Sequence, residues 1–593
     1  MPQVRHRQHR GRKKDERRSA VWGGKTGKLL FLGTVVLSAT AAFARIPKLS
    51  PDLQKVNPKT NVDVIVQFKT APTSTLYSKV TGQGGHLRRD LSGVIRGGAF
   101  RVPGAALAQI AKDNDVKYIS LDHKVHATGS SQPPLTLDYY LQTVNADYAD
   151  QVGLDGTGVG VAVIDSGVAS VPDLSGRIVY NQDFSNSGTS TDEYGHGTHV
   201  AGIIAGTGRS SSGSKYFYTF EGIAPHANII NLRVLDENGS GSDSQVISAI
   251  NKAINLKSRY NIGVINLSLG RPVYESYKLD PLCQAVERAW NAGIVVVVAA
   301  GNDGRDNSYN TNGYGTISAP GNDPYAITVG AMKTMGTPDR GDDQIASYSS
   351  KGPTLIDHVV KPDLVAPGNR ITSLYKSGLD LADQNPGNEI PYSLYQRNGG
   401  SSHSTSYFQL SGTSMATPMV SGAAALLLDQ NSNLTPDQLK ARLMKTAWKN
   451  FPQSSVAVDP DTGKTYVSQY DIFTVGAGYL DVQAALNNSD VTSSADGVAA
   501  SPTAAIDNHG NVYLVTGNSV VWGTSGLWGT SVVWGTSVIW GTLNGESVLW
   551  GSSVCWGSNT LQGYSVVWGT SVVWGTSDGD DNEANMVGIL GEN

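Results

Sequence analysis

Cysteine is nearly missing from this chain. Two among 593 residues exclude a disulfide-built scaffold. Cys283 falls in a predicted helix and Cys555 in the tail, and both read as unpaired thiols. Charge is scarce as well, at 16% of residues, while Gly, Ser, Asn and Thr are plentiful. That balance suits an exported protein better than a cytosolic one. A basic surplus is also lacking. Residues 1–44 hold 10 of the 46 Lys and Arg and 2 of the 50 Asp and Glu, so the remainder carries 36 against 48, or −12. A chain so charged has no footprint for nucleic acid. No apolar run reaches the roughly 20 residues that span a bilayer. The length itself exceeds one ordinary hydrophobic core, so several domains or tails are expected.

What is present comes in order. Residues 1–28 are strongly basic, Leu29–Ala44 is apolar, and the run ends Ala42-Phe-Ala44. Basic segment, apolar segment and small-residue site together predict a signal peptide over 1–44, cleaved after Ala44. A membrane anchor is the alternative. Residues 61–127 then read as a small α+β unit. It has strands at 62–68, 98–102 and 116–121 and a helix at 105–112. From Asp138 to Leu486 apolar strands alternate with helices. The strands are expected at 158–165, 227–234, 262–269 and 294–300, the helices at 245–257 and 280–292. Such alternation predicts a mostly parallel sheet with helices on both faces.

Three stretches in this region carry chemistry. Val161-Ala-Val-Ile-Asp-Ser-Gly167 is a buried strand with Asp165 at its carboxyl end, where open α/β sheets keep their active groups. Glu193-Tyr-Gly-His-Gly-Thr-His199 leads a Gly-flanked histidine into a small-residue helix. Ser411-Gly-Thr-Ser-Met-Ala-Thr-Pro418 opens another helix, with Ser414 near its N-terminus. There the dipole favours a developing negative charge. Pro418 is expected in the first turn, where its missing N–H costs nothing. Taken alone, Ser414 reads equally well as an N-cap.

An acid, a base and a hydroxyl in the order Asp, His, Ser, with Ala299-Ala-Gly-Asn302 between the last two, resemble the subtilisin-like serine proteases, the subtilases. The resemblance covers Asp138 to Leu486. It implies Ser414 as nucleophile, His196 as base, Asp165 as the group that orients His196, and Asn302 as oxyanion donor. His199 is then a structural residue. The resemblance also implies two cleft walls, Gly239-Ser240-Gly241 and Ser268-Leu269-Gly270, that bind a peptide as an added strand. A side-chain pocket would be lined by Ala299, Ala300 and Gly301 and narrowed by Ser318. Ala319-Pro320 matches a cis peptide position. The α+β unit, taken as 45–128, resembles the family's inhibitory pro-domain, with self-cleavage near Thr128 and a catalytic domain over 129–486.

The chain departs from the family in two places. Residues 206–218 form a Ser/Gly loop without the usual strong calcium pattern. Asp363 matches a weaker position and would hold a structural calcium, or else be solvated or salt-bridged; no cofactor is expected for the chemistry. Residues 372–408 are longer and more polar than the family needs and are expected on the leaving-group side of the cleft. Beyond Leu486 follow a linker at 487–518, Trp-Gly-Thr hexapeptide repeats at 519–577 holding eight of the eleven tryptophans, and an acidic end at 578–593. The repeats read as a β-prone array with cell-envelope contact, or as filler. The expected whole is a secreted or surface-associated, monomeric endopeptidase acting on protein or peptide. The alternative is a surface-binding protein with a vestigial protease domain.

Overall fold

The computed structural model describes residues 46–126, 137–308, 311–459, 462–490 and 498–506, with the backbone of strands Val512–Val515, Ser537–Ile539 and Leu549–Ser552. The predicted leader, Thr128, Cys555 and the acidic end lie outside these residues. So do nearly all of the repeats. Within them, the backbones of Ser537–Ile539 and Leu549–Ser552 pair antiparallel.

The N-terminal unit is a four-stranded antiparallel sheet built from β1 (Asn61–Phe68), β2 (His86–Asp90), β3 (Gly97–Pro103) and β4 (Val116–Leu121), in the order β2-β3-β1-β4. Its helices α1 (Ser74–Thr81) and α2 (Leu107–Lys112) bury Leu76, Val80, Leu107 and Ile110 against Val64, Val66 and Phe68 of β1. The sequence pattern located β1, β3, β4 and α2 and missed β2 and α1. Those two are short and polar: every residue of β2 is exposed or half-buried. A further strand, β5 (Lys124–His126), leaves this unit.

The second region centres on an eight-stranded sheet. Its strands are β6 (Gly160–Asp165), β7 (Ile178–Asp183), β8 (Asn228–Arg233), β10 (Ile262–Leu267), β11 (Val295–Ala299), β12 (Ile327–Lys333), β13 (Gln344–Ile345) and β14 (Leu364–Pro367), and a short outlying strand, β9, spans Ser240–Ser242. The order is β13-β12-β11-β10-β6-β8-β7, with β14 also on β12, and every pair is parallel except β12–β13. Strands buried on both faces read as unbroken apolar runs, as in Val295-Val-Val-Val-Ala299. Helices α3 (His196–Ala205), α4 (Asp243–Tyr260), α5 (Pro281–Asn291), α6 (Thr413–Gln430) and α7 (Pro436–Thr446) cover it. Residues 413–428 of α6 are all buried, so this helix is the spine of the core.

Residues 372–408 build a second small sheet from β15 (Ile371–Leu374), β16 (Glu389–Pro391) and β17 (His403–Leu410), ordered β15-β17-β16. The Ser/Gly loop is stitched to it: Phe217 N–H donates to Tyr395 O at 3.0 Å and Arg397 N–H to Lys215 O at 2.9 Å. The Leu381 N–H donates to Tyr194 O at 2.9 Å, beside His196. Leu379 and Asp380 share a groove with Asp236 and Glu237, next to β9. Residues 376–380 of the insertion therefore border the segment just before β9.

The expected linker starts too early. Residues 498–506 are docked on the sheet: Ala499 and Ala504 are buried, Val360 N–H donates to Pro502 O at 2.8 Å, and the Ser501 hydroxyl donates to Asp363. Ala319-Pro320 is cis, as expected, and so are Gly352-Pro353 and Lys361-Pro362. Cys283 is buried and free.

Shortening the chain tests the boundary. A protein ending at 506 should melt with the full chain. One ending at 490 loses hydrogen bonds to a charged group worth about 1.5–3 kcal/mol each and should melt several degrees lower. Thermal unfolding of both would measure this, and equal midpoints would return 498–506 to the linker.

Candidate active site

Asp165 ends β6, and its carboxylate is fully buried. Oδ1 accepts from Ser166 N–H at 2.7 Å and from His196 Nδ1 at 2.8 Å. That bond places the proton of a neutral His196 on Nδ1 and leaves Nε2 as the basic nitrogen. Nε2 is buried with no hydrogen-bond partner. Burial opposes the imidazolium, but the Asp165 charge and hydrogen bond, with Asp192 behind them, outweigh it and raise the His196 pKa. His199 is different. Burial pushes it down to about 3, and Nε2 faces Ile371 O and Phe408 O at 3.0 and 3.1 Å. It is a neutral structural donor.

Ser414 is the second residue of α6 and His196 the first of α3, and these helices pack on each other. Pro418 lies in the second turn, not the first as expected. Its missing N–H leaves Ser414 C=O without a helical partner. Ser268 Oγ supplies one, donating to Ser414 O at 2.8 Å, while Ser414 Oγ donates to Ser268 O at 3.0 Å. The start of α6 and the Ser268–Gly270 wall are thereby locked together. Asn266 Nδ2 donates to Ser268 Oγ at 2.9 Å and holds the hydroxyl in place.

Asn302 sits one residue after Gly301, on the loop leaving β11. Its Oδ1 accepts from Thr413 N–H and Thr413 Oγ1, both at 2.9 Å. The amide is thus oriented, and the buried Nδ2 has no partner.

The expected walls flank one cleft, and β5 lies between them. Val125 pairs with Gly241 and His126 with Ser240, and the His126 N–H donates to Gly270 O at 3.3 Å. Val125 is fully buried. At the end of the cleft, a Cβ on Gly301 would stand 2.4 Å from Ser318 Oγ and one on Gly270 3.1 Å from Ser318 Cβ. Glycine at those two positions leaves room for the Ser318 side chain. Behind the Ser268–Gly270 wall, Arg271 is buried between Asp243 and Asp280 at 2.9 and 2.8 Å. Sequence reasoning missed this clamp, since neither carboxylate is near Arg271 in sequence.

Asp363 is salt-bridged, the other reading expected for it. Lys361 Nζ lies 2.7 Å from one carboxylate oxygen and Lys440 Nζ 3.1 Å from the other, all three side chains buried. Burial raises the carboxyl pKa, but the two ammonium groups more than offset that and lower it. Among the described residues no cluster of three or more His, Cys, Asp or Glu side chains could hold a metal ion.

The family model described as the Subtilase family matches residues 156–497. The chain belongs to the subtilase family. It is 42% identical to serine protease AprX of Bacillus subtilis (strain 168) over 309 residues, 50% of this chain and 63% of that protein. With subtilisin E of the same organism it shares 31% over 462 residues, 77% of this chain and 97% of that protein. Among solved structures, fervidolysin from Fervidobacterium pennivorans, described as a keratinolytic enzyme related to subtilisin, covers 72% of this chain. The TM-score is 0.51, with 21% identity and 61% of that chain covered, which speaks to the fold alone. The chain thus spans somewhat under two thirds of AprX and of the fervidolysin chain, and nearly all of subtilisin E.

The lock between this subtilase's nucleophile helix and its cleft wall is open to a double-mutant cycle. Ser268→Ala alone removes the hydroxyl that donates to Ser414 C=O and should cost about 1–3 kcal/mol in urea unfolding. In a Pro418→Ala background residue 418 regains its N–H, and the same change should cost much less. Equal costs in both backgrounds would contradict the pairing.

Proposed function

We propose that this subtilase is a secreted serine endopeptidase, made as a zymogen whose N-terminal unit is its own inhibitor. The observation that carries the reading is β5, an extended segment paired with both cleft walls as a bound peptide would be. Antiparallel register sets the direction. Two positions beyond a residue opposite Gly270, a bound strand comes opposite Ser268, whose carbonyl accepts from Ser414 Oγ. Thr128, the expected cleavage point, is two positions beyond His126 in sequence.

The roles follow from the geometry. His196 Nε2 takes the Ser414 proton as Oγ attacks the scissile carbonyl, and Asp165 stabilises the imidazolium that forms. Asn302 Nδ2 donates to the oxyanion, with the first-turn amide of Ser414 as second donor. His196 then protonates the leaving amine, and water releases the acyl group by the reverse route. These steps draw on side chains, one backbone amide and water. Backbone pairing at the walls gives broad specificity, and the narrowed pocket favours medium-sized side chains. The leader directs export, and the Trp-Gly-Thr repeats attach the enzyme to the cell envelope.

The N-terminal unit is held by more than β5. The Asp122 carboxylate accepts from Ser244 N–H at 2.8 Å and Ser244 Oγ at 2.6 Å, in the first turn of α4. Gln67 Nε2 donates to Leu279 O at 2.7 Å, and His123 stacks on Tyr274 at 4.2 Å. Such an interface suits an inhibitor retained until it is degraded.

Two measurements test this. The secreted enzyme should begin near residue 129 and label at Ser414 with a fluorophosphonate, and Ser414→Ala should stay uncleaved. A mature protein beginning near Arg45 would overturn the self-processing, and absent labelling would favour the surface-binding alternative. The second is a pH profile. The base must be neutral and its pKa is raised, so kcat/KM should fall as pH drops through a value above the ordinary histidine value of about 6.5. An acid limb below that value would contradict the Asp165–His196 pairing.

A further inference from the structure

Asp192 lies four residues before His196 and is fully enclosed behind it. Its two oxygens collect five donors. Oδ1 accepts from Ser166 Oγ at 2.9 Å, Tyr194 N–H at 3.1 Å and Gly195 N–H at 2.8 Å. Oδ2 accepts from Thr198 N–H at 2.9 Å and Thr198 Oγ1 at 2.6 Å. Five donors and no acceptor is the environment of an ionised carboxylate, although burial works against the charge. Three of the five are amides at the start of α3, where the helix dipole adds to the attraction.

The contacts run on to both members of the Asp165–His196 pair. Ser166, which donates to Asp192, follows Asp165 in sequence, and its Oγ accepts from Gly197 N–H at 2.9 Å. Gly197 follows His196. Thr198 Oγ1, the other hydroxyl donor, accepts from Ala169 N–H at 2.9 Å. The turn after β6 and the first turn of α3 are therefore joined through one carboxylate. They meet with no room to spare: a Cβ on Gly197 would stand 2.1 Å from Gly167 O. Asp165 and His196 come from segments 31 residues apart; the residue after Asp165 is tied directly to Asp192, and the residue after His196 reaches it through Ser166 Oγ.

We propose that Asp192 is a positioning residue for the catalytic base, setting the His196 ring against Asp165 and adding a second negative charge behind the imidazolium. This rests on the proteolytic reading above. The other charged or titratable groups facing the ring are few. Asp165 faces it from β6 and Tyr194 lies on the loop before α3. His199, one turn along α3, is neutral. The Asp192 carboxylate is thus the second anion in the ring's surroundings. Nothing in the three motif stretches marks it except its place four residues ahead of the histidine.

Asp192→Asn tests the role. The amide keeps one acceptor oxygen and turns its NH2 toward donors, so the first turn of α3 must shift. With enzyme matured in trans and repurified, kcat on a peptide anilide should fall about tenfold to a hundredfold, as small misplacements of reacting groups do, with KM within twofold. The acid limb of kcat/KM should also move to lower pH, because the imidazolium has lost a stabilising charge. A purely structural role would not move that limb. Ser166→Ala keeps the charge but cuts the hydroxyl link that joins Asp192 to the residue after Asp165 and to Gly197 N–H; it should lower kcat severalfold and leave the limb in place. Wild-type kcat and an unmoved limb in Asp192→Asn would overturn the proposal. Should that variant fail to fold, an unchanged kcat in Ser166→Ala would do the same. An inactive wild-type enzyme would sink the proteolytic reading and this one with it, whereas an active wild type with indifferent variants would sink this one alone.

Discussion

Parallel strands joined by right-handed crossovers bring their carboxyl ends to one edge of a sheet, and the site of this subtilase is assembled on that edge. Asp165 ends β6, Ser268 follows β10, and Asn302 follows β11. Only a sheet with all of these strands running one way puts them side by side. The remaining two members come from helices that start at the same edge, α3 with His196 and α6 with Ser414. The near-total burial of α6 leaves it no freedom to slide, so the serine is held where the strand ends converge.

Such a core must also accommodate charge. Arg271, Asp243 and Asp280 form one buried group, and Lys361, Asp363 and Lys440 another. Pairing offsets the desolvation that would otherwise make each ion costly. The first group stiffens the wall that faces β5. The second anchors residues 498–506, so it extends the folded domain past the last helix of the main region. Burial lowers Lys440 to about 7 despite the carboxylate beside it, a sign of how dry this group is.

Much of this was legible in the amino-acid order because both signals involved are strong. Apolar runs of five to six residues between small-residue helices give parallel strands, and the observed bounds of β6, β8, β10 and β11 lie within two residues of those expected. Asp165 and His196 are observed in contact, and the two expected walls lie on either side of β5. The failures share a cause: they depend on partners distant in sequence. Asp363 matched a ligand position, but the lysine that completes its pairing lies 77 residues on. Pro418 was placed one turn early, and its lost hydrogen bond is made good by Ser268, 146 residues upstream of Ser414. The sheet of β15, β16 and β17 is built of short, partly polar segments with no clear period. Nothing in the sequence around Asp192 points to the five donors that converge on it, two of which come from Thr198 and one from Ser166.

The central claim is that Asp165, His196 and Ser414 act as one unit. It is tested most directly by combining substitutions in the mature enzyme and measuring kcat for a peptide substrate. Groups that work only together fail together, so Ser414→Ala alone should lower kcat about as far as Ser414→Ala combined with His196→Ala and Asp165→Ala. Losses that multiply, each substitution adding its own factor to the next, would show three independent contributions and contradict the account.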